Sequence, residues 1–282
     1  MSALVLLSVL LVGAYAAPKD VPSVRIAGGD EAEPGQFPYQ ASVQLCIQDV
    51  CSHACGGAII SELAVLTAAH CITQAPDIAR YEILVGVVDL RDDNPERHAA
   101  RVDYAIIHSG YTGENAAPHD IAIFKLSDPL IFNDMVQPIN LPDPEDEIIE
   151  RNGFLSGWGS LTGTDVPIMP DTLQFTEVPI LEPDGKFKIP FDECRDAFDE
   201  ILGGRESPLD FEANICTGPL TGGVSICAGD SGTPLADVRG ETLIGIATWT
   251  ANPCGRPGAP SVYNKISFYA DWIRSYSFEE EN

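Results

Sequence analysis

The amino-acid sequence predicts an all-β protein built as two β units, with helix limited to two short stretches. Three observations carry this expectation. Apolar runs of strand length recur along the whole chain, 25 Gly and 22 Pro punctuate it, and one acidic, proline-bearing stretch near the middle, residues 141–152, lacks apolar periodicity. Many short strands separated by turn residues are the pattern of an antiparallel sandwich or barrel. A stretch with no apolar face is where two such units would be joined.

Taken in order, the chain opens with an apolar segment, residues 3–14, that ends in Ala14-Tyr15-Ala16. This small-x-small ending is what a signal peptidase accepts, and the run is shorter than the roughly 20 residues that span a bilayer. Residues 1–16 are therefore expected to be a secretory signal. Strands are expected in the runs 39–45, 58–60, 64–68, 82–88 and 121–126 before the linker, and 154–158, 243–249 and 261–266 after it. Only 192–202 and 268–276 read as helices.

Composition narrows the function. The chain has 282 residues, with 16 Lys+Arg against 42 Asp+Glu and a formal net charge of -26. So acidic a surface repels a polyanion, and no Lys/Arg cluster offers a local exception, so nucleic acid is excluded as a partner. Nothing after the signal reaches membrane-spanning length, so a soluble, secreted protein is expected. Its eight cysteines then read as four disulfides in an oxidising compartment, with the connectivity open at this point.

Three strings carry chemistry: Thr67-Ala68-Ala69-His70-Cys71, His119-Asp120-Ile121-Ala122-Ile123 and Gly229-Asp230-Ser231-Gly232-Thr233-Pro234. Together, and in this chain order of His, Asp and Ser, they resemble the trypsin/chymotrypsin family of serine endopeptidases from residue 26 to about residue 275. The resemblance implies two six-stranded antiparallel β-barrels packed together with the active site between them, and a C-terminal helix. It implies a protease domain over 26–282, with barrels over about 26–140 and 141–266 and the helix over 268–276.

A serine hydroxyl is almost never ionised near neutrality, so amide hydrolysis needs a base beside it. The resemblance makes Ser231 the nucleophile, His70 the base that takes and returns its proton, and Asp120 the carboxylate that orients the imidazole. It makes the main-chain N–H groups of Gly229 and Ser231 the oxyanion donors. The remaining histidines, His53, His98, His108 and His119, read as core or surface residues.

Arg25-Ile26-Ala27-Gly28-Gly29 resembles the family's activation junction. Cutting after Arg25 would release residues 17–25 and free the Ile26 amine to pair with buried Asp230, ordering the loop that carries Gly229 and Ser231. The resemblance also implies disulfides Cys55–Cys71, Cys194–Cys216 and Cys227–Cys254. Cys46 and Cys51, which the family does not usually carry, then remain to staple a hairpin. Zinc on the run 46–55, with its His53, is the competing reading and is not favoured in a secreted chain. No metal or other cofactor is expected. Calcium is not predicted either, because Val87 follows Gly86 where calcium-binding relatives place a glutamate.

By the same resemblance Ser225 forms the floor of the substrate pocket, where trypsin-like members carry aspartate. Thr248, Trp249, Thr250 and Ser261 complete the pocket, with Thr250 and Ser261 standing where its walls usually carry glycine. An uncharged floor and narrowed walls imply a P1 preference for small to medium apolar residues, with Phe, Tyr and Leu as the alternative. Two substitutions depart from the pattern: Thr233 stands where glycine is commonest, and Thr248, in place of serine, keeps a hydroxyl that could reach Asp120. The expected partners are protein and peptide substrates, a trypsin-like activating protease and protein protease inhibitors, with the enzyme itself a monomer. A catalytically dead homologue serving as a binding module is the rival reading, but none of its usual triad substitutions is present. A cascade protease is disfavoured by the short propeptide, and the acidic charge resembles that of secreted digestive enzymes of arthropods.

Overall fold

The computed structural model describes residues 29–48, 50–114, 116–144, 152–164, 166–181, 191–203, 205, 207–210 and 212–277. The segments 1–16 and 17–25, together with Arg25 and Ile26, lie outside these residues.

Six strands close the first barrel: β2 (Gln40–Ile47), β3 (Val50–Ser61), β4 (Ala64–Thr67), β5 (Arg80–Val85), β6 (His98–Ile107) and β7 (Ala122–Leu126), in the order β2-β3-β4-β7-β6-β5 with β5 back on β2. Ala41, Val43, Ile59, Val65, Ile83, Val85 and Phe124 fill it, all buried. The second barrel joins β8 (Asn152–Gly157), β9 (Gln174–Leu181), β10 (Asn214–Thr217), β13 (Ser261–Lys265), β12 (Leu243–Thr250) and β11 (Pro234–Asp237), and the β8–β9 pairing closes the ring. Leu155, Val178, Ile215, Leu235, Ile244 and Tyr263 fill its interior. Each buried Val, Leu, Ile or Phe among them contributes about 1.5–3 kcal/mol of burial. Among the described residues, closing both sheets pairs their edge strands and so leaves no long edge to template further pairing.

A third apolar cluster, including Tyr39, Leu66, Ile121, Ile123, Trp158, Ala236, Ile246 and Tyr269, lies between the barrels. Trp158 donates its indole N–H to Val88 O at 3.0 Å, which satisfies the one polar atom of a side chain only 1% exposed. The short β1 (Asp30–Glu31) precedes the first barrel in sequence but pairs with β9 of the second.

Three helices complete the described chain: α1 (His70–Thr73), α2 (Phe191–Ile201) and the C-terminal α3 (Ile266–Ser277). α2 and α3 match the expected helical stretches to within two residues. α3 docks on the barrels through buried Ile266, Tyr269, Ala270 and Ile273. Among the described residues no helix is long and apolar enough to cross a membrane.

Four disulfides join Cys46 to Cys51, Cys55 to Cys71, Cys194 to Cys216 and Cys227 to Cys254. Cys46 and Cys51 face one another across the β2–β3 hairpin. The sulfurs that come close to His70 or to Glu82 all belong to these bonds, so none is a thiolate that could ligate zinc.

Candidate active site

Sheet register brings the first two candidate residues together. β4 and β7 are antiparallel neighbours with Thr67 opposite Ala122, so the end of one lies beside the start of the other. His70 follows Thr67 by three residues and opens α1. Asp120 precedes Ala122 by two, after His119, whose φ of 57° is in the left-handed region rare for non-glycine residues.

The Asp120 carboxylate takes two bonds from His70: Oδ1 accepts the main-chain N–H at 2.8 Å and Oδ2 meets Nδ1 at 2.6 Å. An acceptor facing Nδ1 places the proton there and leaves Nε2 as the basic nitrogen. Asn264 holds the other end of the residue, donating Nδ2–H to Asp120 O at 2.6 Å. The Thr248 hydroxyl does not serve Asp120 as the sequence left open. Thr248 falls at a register shift in β12, between Ala247 opposite Tyr263 and Trp249 opposite Val262, and its hydroxyl donates to Val262 O at 2.9 Å.

Ser231 comes from the second barrel, on the turn before β11. The turn is pinned by Asp230 N–H to Cys227 O at 2.9 Å and Gly232 N–H to Ala247 O at 2.7 Å. Gly229 (φ 94°) and Gly232 (φ 79°) flank the nucleophile position in the left-handed region, where a side chain would be strained. Across the barrel seam, Gly56 N–H donates to Ser231 O at 2.8 Å. The Cys71 sulfur lies 4.0 Å from His70 Nε2 and 3.8 Å from Ser231 O. Both halves of the site thus converge on the Cys55–Cys71 bond.

His53 is a core histidine, but one with a specific task that the strand pattern of β3 does not reveal. Gly229 O can only accept, so His53 Nε2–H donates to it at 3.0 Å, and Nδ1 accepts from the Ser42 hydroxyl at 2.7 Å. Burial holds the imidazole neutral, pulling its pKa down to about 4. His108 and His119 instead stack on one another, 4.7 Å between centroids, beside Tyr269.

Asp230 is fully buried. Among the described residues its carboxylate accepts from Gly159 N–H at 2.8 Å and Cys227 N–H at 2.9 Å and meets no cation. Burial, only partly offset by those bonds, pushes its pKa up to about 7. The two buried groups act oppositely on the uncut chain. Asp230 holds a proton in the fold that the unfolded chain releases, so its contribution falls as pH rises from about 4 to about 7. His53 refuses a proton that the unfolded chain binds, so its contribution is lost as pH falls from about 6.5 to about 4. Across the shared window the two offset one another. In uncut His53→Gln, urea midpoints measured against pH should therefore fall as pH rises through that window, where the parent's change less.

Of the residues expected at the substrate pocket, Ser225, Thr250 and Ser261 meet through their hydroxyls, whereas the Thr248 hydroxyl turns to Val262 O and Trp249 packs on Phe198. Ser225 Oγ lies 3.1 Å from Ser261 Oγ and 3.4 Å from Thr250 Oγ1. These hydroxyls are otherwise turned to main chain: Ser225 to Ile226 O, Thr250 to Pro260 O, and Ser261 accepting Ile226 N–H at 3.0 Å. Ser225 and Ser261 are buried and Thr250 half-buried, so this cluster is uncharged and its hydroxyls are matched to one another and to main chain.

Two hollows lie near the 228–229 segment, one reaching it through His53 and Met169 and the other through Ala228. A cavity of about 360 Å³ is walled by His53, Leu84, Leu90, Arg97, Trp158 and Met169. A second crevice of about 670 Å³ runs beside Ala228 between residues 162–164 and 252–254. A Cβ on Gly229 would collide with the Met169 methyl and lie 3.7 Å from His53 Cδ2. Both hollows depend on loop packing, for which the sequence carries no local signal.

Two closed antiparallel barrels, with a His–Asp pair from one facing a serine turn from the other, define the chymotrypsin-like class of serine protease. The "Trypsin" family model matches residues 26–273. Trypsin-1 of Astacus astacus is 34% identical over 256 residues, covering 89% of this chain and 99% of that protein. Ovochymase of Halocynthia roretzi is 30% identical over 260 residues, covering 90% of this chain but 15% of that much longer protein. The chain belongs to the trypsin family of serine proteases.

Proposed function

We propose that this chain is a secreted serine endopeptidase, made as a zymogen, that cleaves after small to medium apolar residues. The observation that carries the reading is the two-point grip of Asp120 on His70, with His70 Nε2 and Ser231 O both within 4.0 Å of the Cys71 sulfur. In this reading Ser231 Oγ attacks the scissile carbonyl carbon while its proton passes to His70 Nε2. The carbonyl oxygen becomes an oxyanion held by the Gly229 and Ser231 N–H groups. Collapse breaks the C–N bond as His70 gives its proton to the leaving amine. Water, deprotonated by His70, then hydrolyses the acyl-enzyme and restores Ser231.

The matched hydroxyls of Ser225, Thr250 and Ser261 support the P1 reading. An Arg or Lys side chain would lose its hydration there and find no carboxylate. The basic preference of trypsin-like members is therefore not carried over, despite the relative's name. Thr250→Gly should widen the slot and raise the ratio of kcat/KM for P1 Phe over P1 Ala by about tenfold or more, on a peptide series varied only at P1. An unchanged ratio would remove Thr250 from the specificity reading.

Activation supplies the direct test. Trypsin should cut after Arg25 and raise activity by about 10²–10³-fold, the worth of a missing oxyanion donor. The purified precursor incubated alone should stay inactive, because its own pocket rejects Arg25. Rapid self-activation, or an Arg-first P1 profile, would overturn the pocket assignment. Absence of hydrolysis after complete cleavage at Arg25 would favour a non-catalytic homologue.

A further inference from the structure

Thr233 stands two residues beyond Ser231, at a place where the family commonly has glycine, and the catalytic chemistry above makes no use of it. Its side chain is fully buried, and every polar atom of it is committed. The hydroxyl donates to Ser156 O and accepts from Gln40 Nε2 at 3.0 Å. Gln40 Oε1 in turn accepts from the Ser156 hydroxyl at 2.7 Å. The bonds close a ring with one member in β2 of the first barrel, one in β8 of the second and one on the nucleophile turn. Gln40 and Ser156 are only 4% and 1% exposed, so water does not replace a member that is lost.

The ring also touches the support of the nucleophile itself. Thr233 packs so closely on Gly56 that a Cβ there would lie 2.7 Å from Thr233 Cβ and 2.8 Å from its hydroxyl oxygen. Gly56 is the residue whose N–H holds Ser231 O. Thr233 N–H donates to Asp230 O at 3.0 Å, and Thr233 O accepts from Ala247 N–H at 2.9 Å. The side chain is therefore anchored to the opposite barrel while its main chain is part of the turn that carries Ser231.

We infer that Thr233 is a positioning residue: with Gln40 and Ser156 it sets the register of the serine turn against the barrel that carries His70 and Asp120. The inference rests on the endopeptidase reading above. Two elements from separate barrels must meet within hydrogen-bond reach for proton transfer, and small misplacement of reacting groups costs far more in rate than in binding. The hydroxyl is the essential atom, because it alone bridges Gln40 Nε2 and Ser156 O.

The test uses the full chain activated at Arg25. Thr233→Val keeps the shape and removes the hydroxyl, taking its acceptor from the buried Gln40 Nε2 and its side-chain donor from the buried Ser156 O. Thr233→Ser keeps both bonds. The expected result is a fall in kcat of about tenfold for Thr233→Val with KM within twofold, a matching fall in the rate at which a fluorophosphonate labels Ser231, and recovery of both in Thr233→Ser. If Thr233→Val does not fold, Gln40→Met, which opens the ring from the other barrel, should give the same split. A Thr233→Val or Gln40→Met enzyme that is less stable but keeps the parent's kcat per labelled site would overturn the inference. So would a Thr233→Ser enzyme as slow as Thr233→Val, since shape rather than the hydroxyl would then matter. A parent that neither hydrolyses peptides nor takes the label would instead sink the endopeptidase reading, and this inference with it.

Discussion

Ser231→Ala in the Arg25-cleaved chain is expected to lower kcat by about a million-fold while leaving the fold and substrate binding intact. In the proposed mechanism alanine removes the attacking atom, and the main-chain bonds of the turn, Gly56 N–H to Ser231 O and Gly232 N–H to Ala247 O, do not involve the lost hydroxyl. The thermal midpoint should accordingly move little. Removing His70 should cost about as much, and the double variant Ser231→Ala/His70→Ala should be hardly slower than either single one. A base without a nucleophile, or a nucleophile without a base, contributes nothing more. The residual rate, roughly 10³–10⁴-fold above water, would come from the oxyanion donors and from binding. Active-site titration with a fluorophosphonate separates real loss from contamination. Hydrolysis within tenfold of the parent, with no label on the variant, would refute the nucleophile assignment.

The fold was legible where strands are buried on both faces or alternate cleanly. β4, with four buried residues, and β7, with four of five buried, show as continuous apolar runs. β6 does not, because His98, Arg101, Asp103 and Tyr104 face solvent and only Ala100 among its ten residues is buried. β9 carries Thr176 and Glu177 outward, and Pro179 sits within it. β10 and β11 are only four residues each, too short for a period to register. β1 precedes the first barrel in sequence yet adds to the sheet of the second by pairing with β9, a contact set by packing rather than by any local pattern.

The candidate site was legible only in its short strings. His70, Asp120 and Ser231 each sit at a strand end or a tight turn, where the local geometry is encoded by neighbours such as Gly229 and Gly232. What surrounds them is tertiary. Whether the Thr248 hydroxyl reaches Asp120 or Val262 depends on a register shift in β12. Whether His53 is an ordinary core residue or the tether of Gly229 depends on Trp158 and the turn at 227–231 closing over it. Thr233 reads as a tolerated departure in the sequence and becomes a bridge only when β2 and β8 are brought to either side of it.

Asp120→Asn should cut kcat by about 10⁴-fold near neutral pH, for a reason that lies in the two bonds the carboxylate accepts. Oδ1 and Oδ2 are both acceptors, one for the His70 main-chain N–H and one for Nδ1–H. An asparagine can satisfy only one of these. If its oxygen keeps the main-chain N–H, its NH₂ points at Nδ1 and forces that nitrogen to be the acceptor. The ring proton then sits on Nε2, the atom that must receive the Ser231 proton, and the base is blocked. If the amide flips, the main-chain N–H of His70 faces a donor in a pocket where Asp120 is only 5% exposed, and the first turn of α1 loses its anchor. Either way the imidazolium formed during attack loses its counter-charge. KM should change little, since the Ser225, Thr250 and Ser261 hydroxyls do not touch Asp120. The measurement is kcat and KM on one apolar P1 peptide, with Asn264→Leu alongside. That second change frees Asp120 O but leaves both carboxylate bonds, so it should cost far less. Equal losses in the two variants would mean that the carboxylate acts through the placement of its main chain and not through the tautomer of His70.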